Sequence, residues 1–286
     1  MEILRIQGLV AVVSILLAHT AFSSPKRVIT LAPNLTEIVY ALDAGDRLVA
    51  RTRYCVYPPE ANKLPSVGGI TDPSPEAILA LKPDLVIIGR LTSLSVYRQL
   101  QRLKLPLLPL NEIGIQGVHN CIDKIASALG ISATGDALSS EIRTSFKRFQ
   151  EMAESLPASK RPKTLLLTGA SSYFAAGRSS FTGEILELIG AQNIVPNTPN
   201  PWPQLSVERI VSENPRVIIV SLAHDNNEIE IAKKRLISWK QDPVWKKVDA
   251  VRNNRVFFVR ENLLTIPGPR IAEAASILSK HIHGRP

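Results

Sequence analysis

One pattern of Ser, Glu, Pro and an apolar run occurs twice in this chain, and it constrains the fold more than any other feature. The first copy runs from Ser74 to Ile88 (SPEAILALKPDLVII) and the second from Ser206 to Val220 (SVERIVSENPRVIIV). In both, Glu stands two residues after Ser, Pro stands nine after it, and the apolar run follows that Pro. Ser caps a helix N-terminus, Pro75 suits the first helical position, and the second Pro stops the helix before a buried strand. A short capped helix leading into a strand, present twice in 286 residues, implies two similar halves. The length agrees, at about 150 residues per domain.

The rest of the chain alternates in the same way. Strands are expected at Arg27–Leu31, Leu48–Thr52, Leu85–Gly89 and Leu105–Leu110, with helices at Thr36–Leu42, Ser74–Leu81, Ser95–Lys104 and Ile115–Leu129. Near-continuous apolar strands between helices indicate a parallel sheet covered on both faces. Residues 133–157 differ: Leu138, Ile142, Phe146, Phe149 and Met152 recur at three- and four-residue steps, which reads as one long amphipathic helix. Alternation then restarts, with strands at Thr164–Thr168, Val217–Val220 and Arg255–Val259 and helices at Gly183–Ile189, Glu228–Lys240 and Pro269–His281. The expected fold is α/β: two Rossmann-like lobes with parallel sheets (24–132 and 161–286) joined by one long rigid helix (133–160). The ligand cleft would lie between the lobes.

Residues 1–23 read as an export signal. Their apolar run, Leu9–Ala18, is too short for a bilayer span of about 20 residues, and Ala21 and Ser23 suit cleavage after Ser23. No Cys lies near that point to carry a lipid, so a soluble periplasmic chain is expected. An oxidising compartment permits a bridge between Cys55 and Cys121, which would close a loop of about 67 residues and contribute ~4 kcal/mol. Neither Cys has a His or second Cys at metal-ligand spacing. The net charge of +9 comes from scattered residues, and aromatics are 5% of the chain. A nucleic-acid binder concentrates its charge among aromatics, so no nucleic-acid partner is expected.

The order RVITLAPNLTEIVYAL, YPPEANKLPSVGG, PDLVIIG, PWPQLSVERIV and PRVIIV resembles the helical-backbone periplasmic receptors of ATP-driven uptake systems. That family carries cobalamin, haem and ferric siderophores, and the PWPQ run with Ser206 and Glu208 is most similar to its cobalamin branch. The resemblance covers nearly all of residues 25–283. It implies a monomer that binds a transported chelate in its cleft, with no intrinsic cofactor and no metal site. It also implies delivery to an inner-membrane permease dimer. By that resemblance Glu76 and Glu208 are docking carboxylates, one per lobe. Tyr54 and Trp202 are aromatics that pack on the corrin, with Phe174 as a third, and Asn262, Leu263, Leu264, Thr265 and Ile266 line the loop after the last strand. A broad apolar macrocycle with an amide fringe needs flat side chains on both sides and few charges. The chain departs from the cobalamin pattern at Asn262, where an acidic residue is usual, at Ile266, where a basic one is, and at Ile70, where a Trp can stand.

Two other readings compete. A haem receptor would use Tyr54 or Tyr57, or His119 or His224, as axial ligand. A ferric-siderophore receptor would use Arg51, Arg53, Arg90 or Arg178. An exported two-domain enzyme belongs to a different class, and the sequence holds no G-x-S-x-G, H-E-x-x-H, G-x-G-x-x-G or Walker loop. Gly177–Gly183 (GRSSFTG) is the nearest polar turn to an anion-binding loop. The chain therefore reads as a binder and not an enzyme.

Overall fold

The computed structural model describes residues 24–284 apart from 112, 170 and 223–225, so the export signal expected over 1–23 lies outside the described residues, as does His224. In the first half, β1 (Val28–Thr30), α1 (Pro33–Ala41), β2 (Leu48–Arg51), α2 (Pro75–Ala80), β3 (Leu85–Ile88), α3 (Leu94–Arg102), β4 (Leu107–Pro109) and α4 (Gly114–Ala128) follow one another. Their sheet is wholly parallel in the order β2-β1-β3-β4. Next comes the long helix α5 (Ser132–Glu154). The second half comprises β5 (Lys163–Thr168), β6 (Phe174–Ala175), α6 (Phe181–Leu188), β7 (Gln192–Asn193), α7 (Val207–Glu213), β8 (Val217–Leu222), α8 (Asn226–Gln241), α9 (Asp249–Arg252), β9 (Val256–Arg260), α10 (Glu261–Thr265) and α11 (Ile271–His283). Its sheet runs β6-β5-β8-β9 with β7 also on β5, parallel except for β6. The two parallel-sheet lobes read from the sequence are present.

Side-chain alternation along the strands divides the core. Val28, Leu85 and Ile87 face one way, while Ile29, Val86 and Ile88 face the other into a cluster of their own. In the second sheet Leu166, Val217 and Ile219 face one way, and Leu165, Leu167, Ile218 and Val220 the other. Successive side chains of a strand point to opposite faces, so each sheet sends one face to a private cluster and the other to a shared one. The shared cluster takes in Leu35 and Ile38 of α1, Ile142, Phe146 and Phe149 of α5, and Leu186 and Leu278 of the second lobe. Helix α5 packs along α4 on one side and against α6 and α11 on the other. Gly135 permits the close approach to α4, since a Cβ there would stand 2.5 Å from that of Ala126.

Three differences from the sequence reading have local causes. β6 and β7 are two-residue strands, too short to show any periodicity. Helix α1 starts at Pro33 and not at Thr36, because Pro occupies a first-turn position. The run after β9, read as a loop, is the single turn α10.

The bridge between Cys55 and Cys121 is not formed: both are buried thiols. Cys55 follows edge strand β2, with Sγ 3.1 Å from Thr52 Oγ1. Cys121 sits on α4, with Sγ 3.9 Å from the Asn111 carbonyl just beyond β4, the opposite edge of the sheet.

The shared core should make unfolding one transition, with Phe146→Ala lowering stability by about 3–5 kcal/mol in urea titrations. Two separated transitions would show that the lobes do not share their core. Burial pushes the Cys55 thiol above its ordinary pKa. A thiol reagent should therefore react slowly with the native chain and count two thiols per chain once it is denatured; a count near zero would restore the bridge.

Candidate functional site

The repeated helices are built alike. Ser74 Oγ accepts from the Ala77 N–H (3.1 Å) and donates to Glu76 Oε2 (3.0 Å) at the start of α2. Ser206 Oγ accepts from the Arg209 N–H (3.2 Å) at the start of α7. Glu208's own backbone N–H, then the Ser206 hydroxyl, hold its carboxyl below the usual range. The far ends match as well. Arg27, just before β1, donates to the Leu81 and Lys82 carbonyls beyond α2. Lys163, the first residue of β5, donates to the Glu213 carbonyl that ends α7 (3.1 Å). A cation on the last carbonyls of a helix complements its negative end. Each lobe thus fixes its short helix at both ends and leaves Glu76 or Glu208 exposed in the first turn.

The carboxyl ends of parallel strands are where open α/β sheets bind ligands. Beyond β2 the segment Arg53–Pro58 leaves Tyr54 52% and Tyr57 40% exposed. The Arg53 guanidinium lies 5.2 Å over the Tyr54 ring and 3.7 Å from Asp72 Oδ1. Gly69 makes room for that pair, because a Cβ there would come within 2.1 Å of the same carboxylate oxygen.

Beyond β5 the exposed Phe174 lies on β6, which pairs with the Pro201–Leu205 run. The Ala175 N–H donates to the Pro203 carbonyl (2.9 Å) and the Leu205 N–H to the Tyr173 carbonyl (3.0 Å). The structure therefore brings Phe174 and Trp202 onto one loop pair, with Trp202 half-buried against the shared core. Behind them Tyr173, Trp245 and Trp239 stack, with Arg235 over two of the rings. That support went unread in the sequence, because its members are scattered from 173 to 245 without a pattern.

The loop residues expected after β9 divide. Leu263 and Leu264 are buried, and the Leu264 carbonyl accepts from Thr182 Oγ1. They anchor α10 to the core. Thr265 and Ile266 are half-buried, and the side chain of Asn262 lies outside the described residues.

Two carboxylates tie the lobes together below this level. Glu37 of α1, 3% exposed, accepts from Arg270 Nε (2.9 Å) and from an Arg270 terminal nitrogen (2.8 Å) just before α11. The same guanidinium carbon lies 3.8 Å over the ring of Tyr57. Glu184 of α6 accepts from the Ile115 N–H (2.7 Å) at the start of α4, where Gly114 adopts a positive φ of 68° beneath it. The first pair had a signal in the sequence: a cation at a helix N-terminus is unfavourable without a partner. Arg270 holds that position, and Glu37 is the one charged residue of α1.

A cavity of about 340 Å³ beyond β4, lined by Leu110, Asn111, Ile113, Gln116, Asn120 and Lys124 among others, contains none of the expected ligand residues. Among the described residues no group of three or more His, Cys, Asp or Glu is placed to hold a metal, and no helix is long and apolar enough to cross a membrane.

Comparison with known proteins agrees with this geometry. A family model described as periplasmic binding protein matches residues 28–263. A vitamin B12-binding protein of Yersinia pseudotuberculosis is 33% identical over 221 residues, 74% of this chain and 75% of its own. The periplasmic vitamin B12-binding protein of Vibrio cholerae superposes with a TM-score of 0.76 at 24% identity, covering 91% of this chain and 97% of that one. A periplasmic haem-binding protein of Pseudomonas aeruginosa superposes at 0.79 and 25% identity, covering 91% and 93%.

Burial pushes the Glu37 carboxyl above its ordinary value of 4.5, against the pull of Arg270. The folded chain then binds this proton more readily than the unfolded one. Its contribution to stability is full below 4.5 and is lost as pH rises through the folded value. The stability of wild type minus that of Glu37→Gln, from urea titrations, should therefore fall as pH rises from 4.5 and then level off; a flat difference would sink this assignment.

Proposed function

The chain belongs to the periplasmic binding protein family, and we propose from that premise that it captures cobalamin or a related corrinoid between its lobes and hands it to an ABC-type inner-membrane permease. One observation carries this reading: aromatic rings stand at the strand ends of both lobes, exposed Tyr54 on one and exposed Phe174 with half-buried Trp202 on the other. Flat rings from two sides suit a broad, largely uncharged macrocycle. The similarity to a vitamin B12-binding protein supports it. Thr265, Ile266 and Asn262 would meet the ligand's polar fringe. Cobalamin is cargo here and not a resident cofactor.

Delivery would use Glu76 and Glu208. Each is an exposed carboxylate in the first turn of a helix fixed at both ends, free to accept a bidentate Arg from a permease subunit. The chain would work in the periplasm as a monomer, stoichiometrically and without turnover. A haem reading is favoured by a separate observation. Two phenols, Tyr54 and Tyr57, are exposed on one segment as axial ligands, and the haem-binding protein of P. aeruginosa shares the architecture.

Calorimetric titration of residues 24–286 with cyanocobalamin, with haemin in parallel, decides between them. One-to-one cobalamin binding at submicromolar affinity is expected, weakened about tenfold or more in Trp202→Ala. Haemin binding alone would move the cargo to iron, and binding of neither would overturn the reading. In transporter ATPase assays, Glu76→Arg with Glu208→Arg should abolish stimulation at unchanged cobalamin affinity; a parallel loss of affinity would remove the docking assignment.

A further inference from the structure

The corrinoid reading leaves Tyr57 without a task, and it leaves unexplained why the buried lobe-to-lobe pair reaches an exposed ring. Tyr57 belongs to the first lobe, three residues beyond Tyr54, and is 40% exposed. The group over its ring, Arg270, comes from the second lobe. That guanidinium is held by both oxygens of Glu37, at 2.8 and 2.9 Å, in a pair whose side chains are 16% and 2% exposed. The ring thus rests on a support that cannot shift without separating a buried ion pair.

Tyr54 is held differently. Its cation, Arg53, is 5.2 Å away, more than half exposed, and tied only loosely to Asp72 at 3.7 Å. The two rings therefore differ in freedom: Tyr54 can adapt, and Tyr57 is set in place in advance. An aromatic group immobilised before the ligand arrives loses little conformational freedom on binding.

Resting on the corrinoid or haem reading above, the latter with Tyr54 as its axial phenol, we propose that Tyr57 is a ligand-contact residue that stacks on a planar, π-rich macrocycle. Arg270 and Glu37 act as its positioning residues, so that cargo capture and the lobe-to-lobe clamp stabilise each other. Coupling of this kind is reciprocal: what loosens the pair weakens binding, and what fills the cleft strengthens the pair.

The test is a double-mutant cycle read by calorimetry, with cyanocobalamin and haemin as separate probes and melting temperature followed for every variant. Tyr57→Ala should weaken the bound probe about five- to tenfold, as loss of one stacked ring implies, with the chain still folded at the assay temperature. Tyr57→Phe should restore binding, because the ring and not the hydroxyl is used. Arg270→Lys keeps the charge but loses the fork on Glu37 and the planar stack on Tyr57. It should weaken binding in the Tyr57 chain and have little further effect in Tyr57→Ala. If Arg270→Lys does not fold, Glu37→Gln loosens the same pair with its volume kept. A bound ligand should also raise the melting temperature of wild type more than that of the loosened variant. Unchanged affinity in Tyr57→Ala, or equal effects of Arg270→Lys with and without Tyr57, would overturn the proposal while wild-type binding upholds the cargo reading. Binding of neither probe by wild type would overturn both.

Discussion

The division of strand side chains between two faces is the constraint on which the rest of the molecule depends. Each sheet seals one face with its own helices and leaves the other, through Val28, Leu85 and Ile87 or Leu166, Val217 and Ile219, to a cluster filled jointly with α1, α5, α6 and α11. Neither lobe could bury that second face alone. The lobes meet as two halves of a single interior, and relative motion between them has to work against close packing. The Glu37–Arg270 pair and the Glu184 contact to the start of α4 add direction to this non-directional packing, since both need defined geometry. Breaking a buried pair by removing one partner leaves an uncompensated charge, which is why such pairs resist sliding.

Much of the architecture was legible because its signals are local. A Ser cap, a first-turn Glu and a terminating Pro fall within a few residues of each other, so both short helices and the strands after them could be read twice over. The long helix announced itself by periodicity. What escaped was what depends on residues far apart. Arg270 and Glu37 are 233 positions from one another, and the Tyr173–Trp245–Trp239 stack gathers one ring from α8 and two from the β5–β6 and α8–α9 connections. The placement of Leu263 and Leu264 has a related reason: they are as apolar as a ligand wall would need, and only the packing shows them turned inward. The cysteines taught the same lesson in reverse, since compartment and count permitted a bridge that the two buried thiols do not form.

The cleft combines fixed and adjustable parts. Phe174 is carried on a two-residue strand paired to the Pro201–Leu205 run, so one aromatic loop steadies the other. Tyr54 sits on a solvent-exposed cation. An envelope that mixes firm and yielding contacts can close around ligands of similar outline and different periphery. This fits a fold whose solved relatives hold macrocycles of more than one kind.

The anchoring of α2 and α7 has a geometric consequence. Each helix is pinned at its start by a Ser cap and at its end by a cation at the start of the first strand of its own lobe, Arg27 just before β1 or Lys163 in β5. Neither Glu76 nor Glu208 can travel independently of the sheet beneath it, so the span between them is set almost entirely by the angle between the lobes. The molecule carries a two-point caliper. A membrane partner that gripped both tips, as proposed above, would measure that angle without touching the cargo, and it would accept an empty chain held at the loaded angle as readily as a full one.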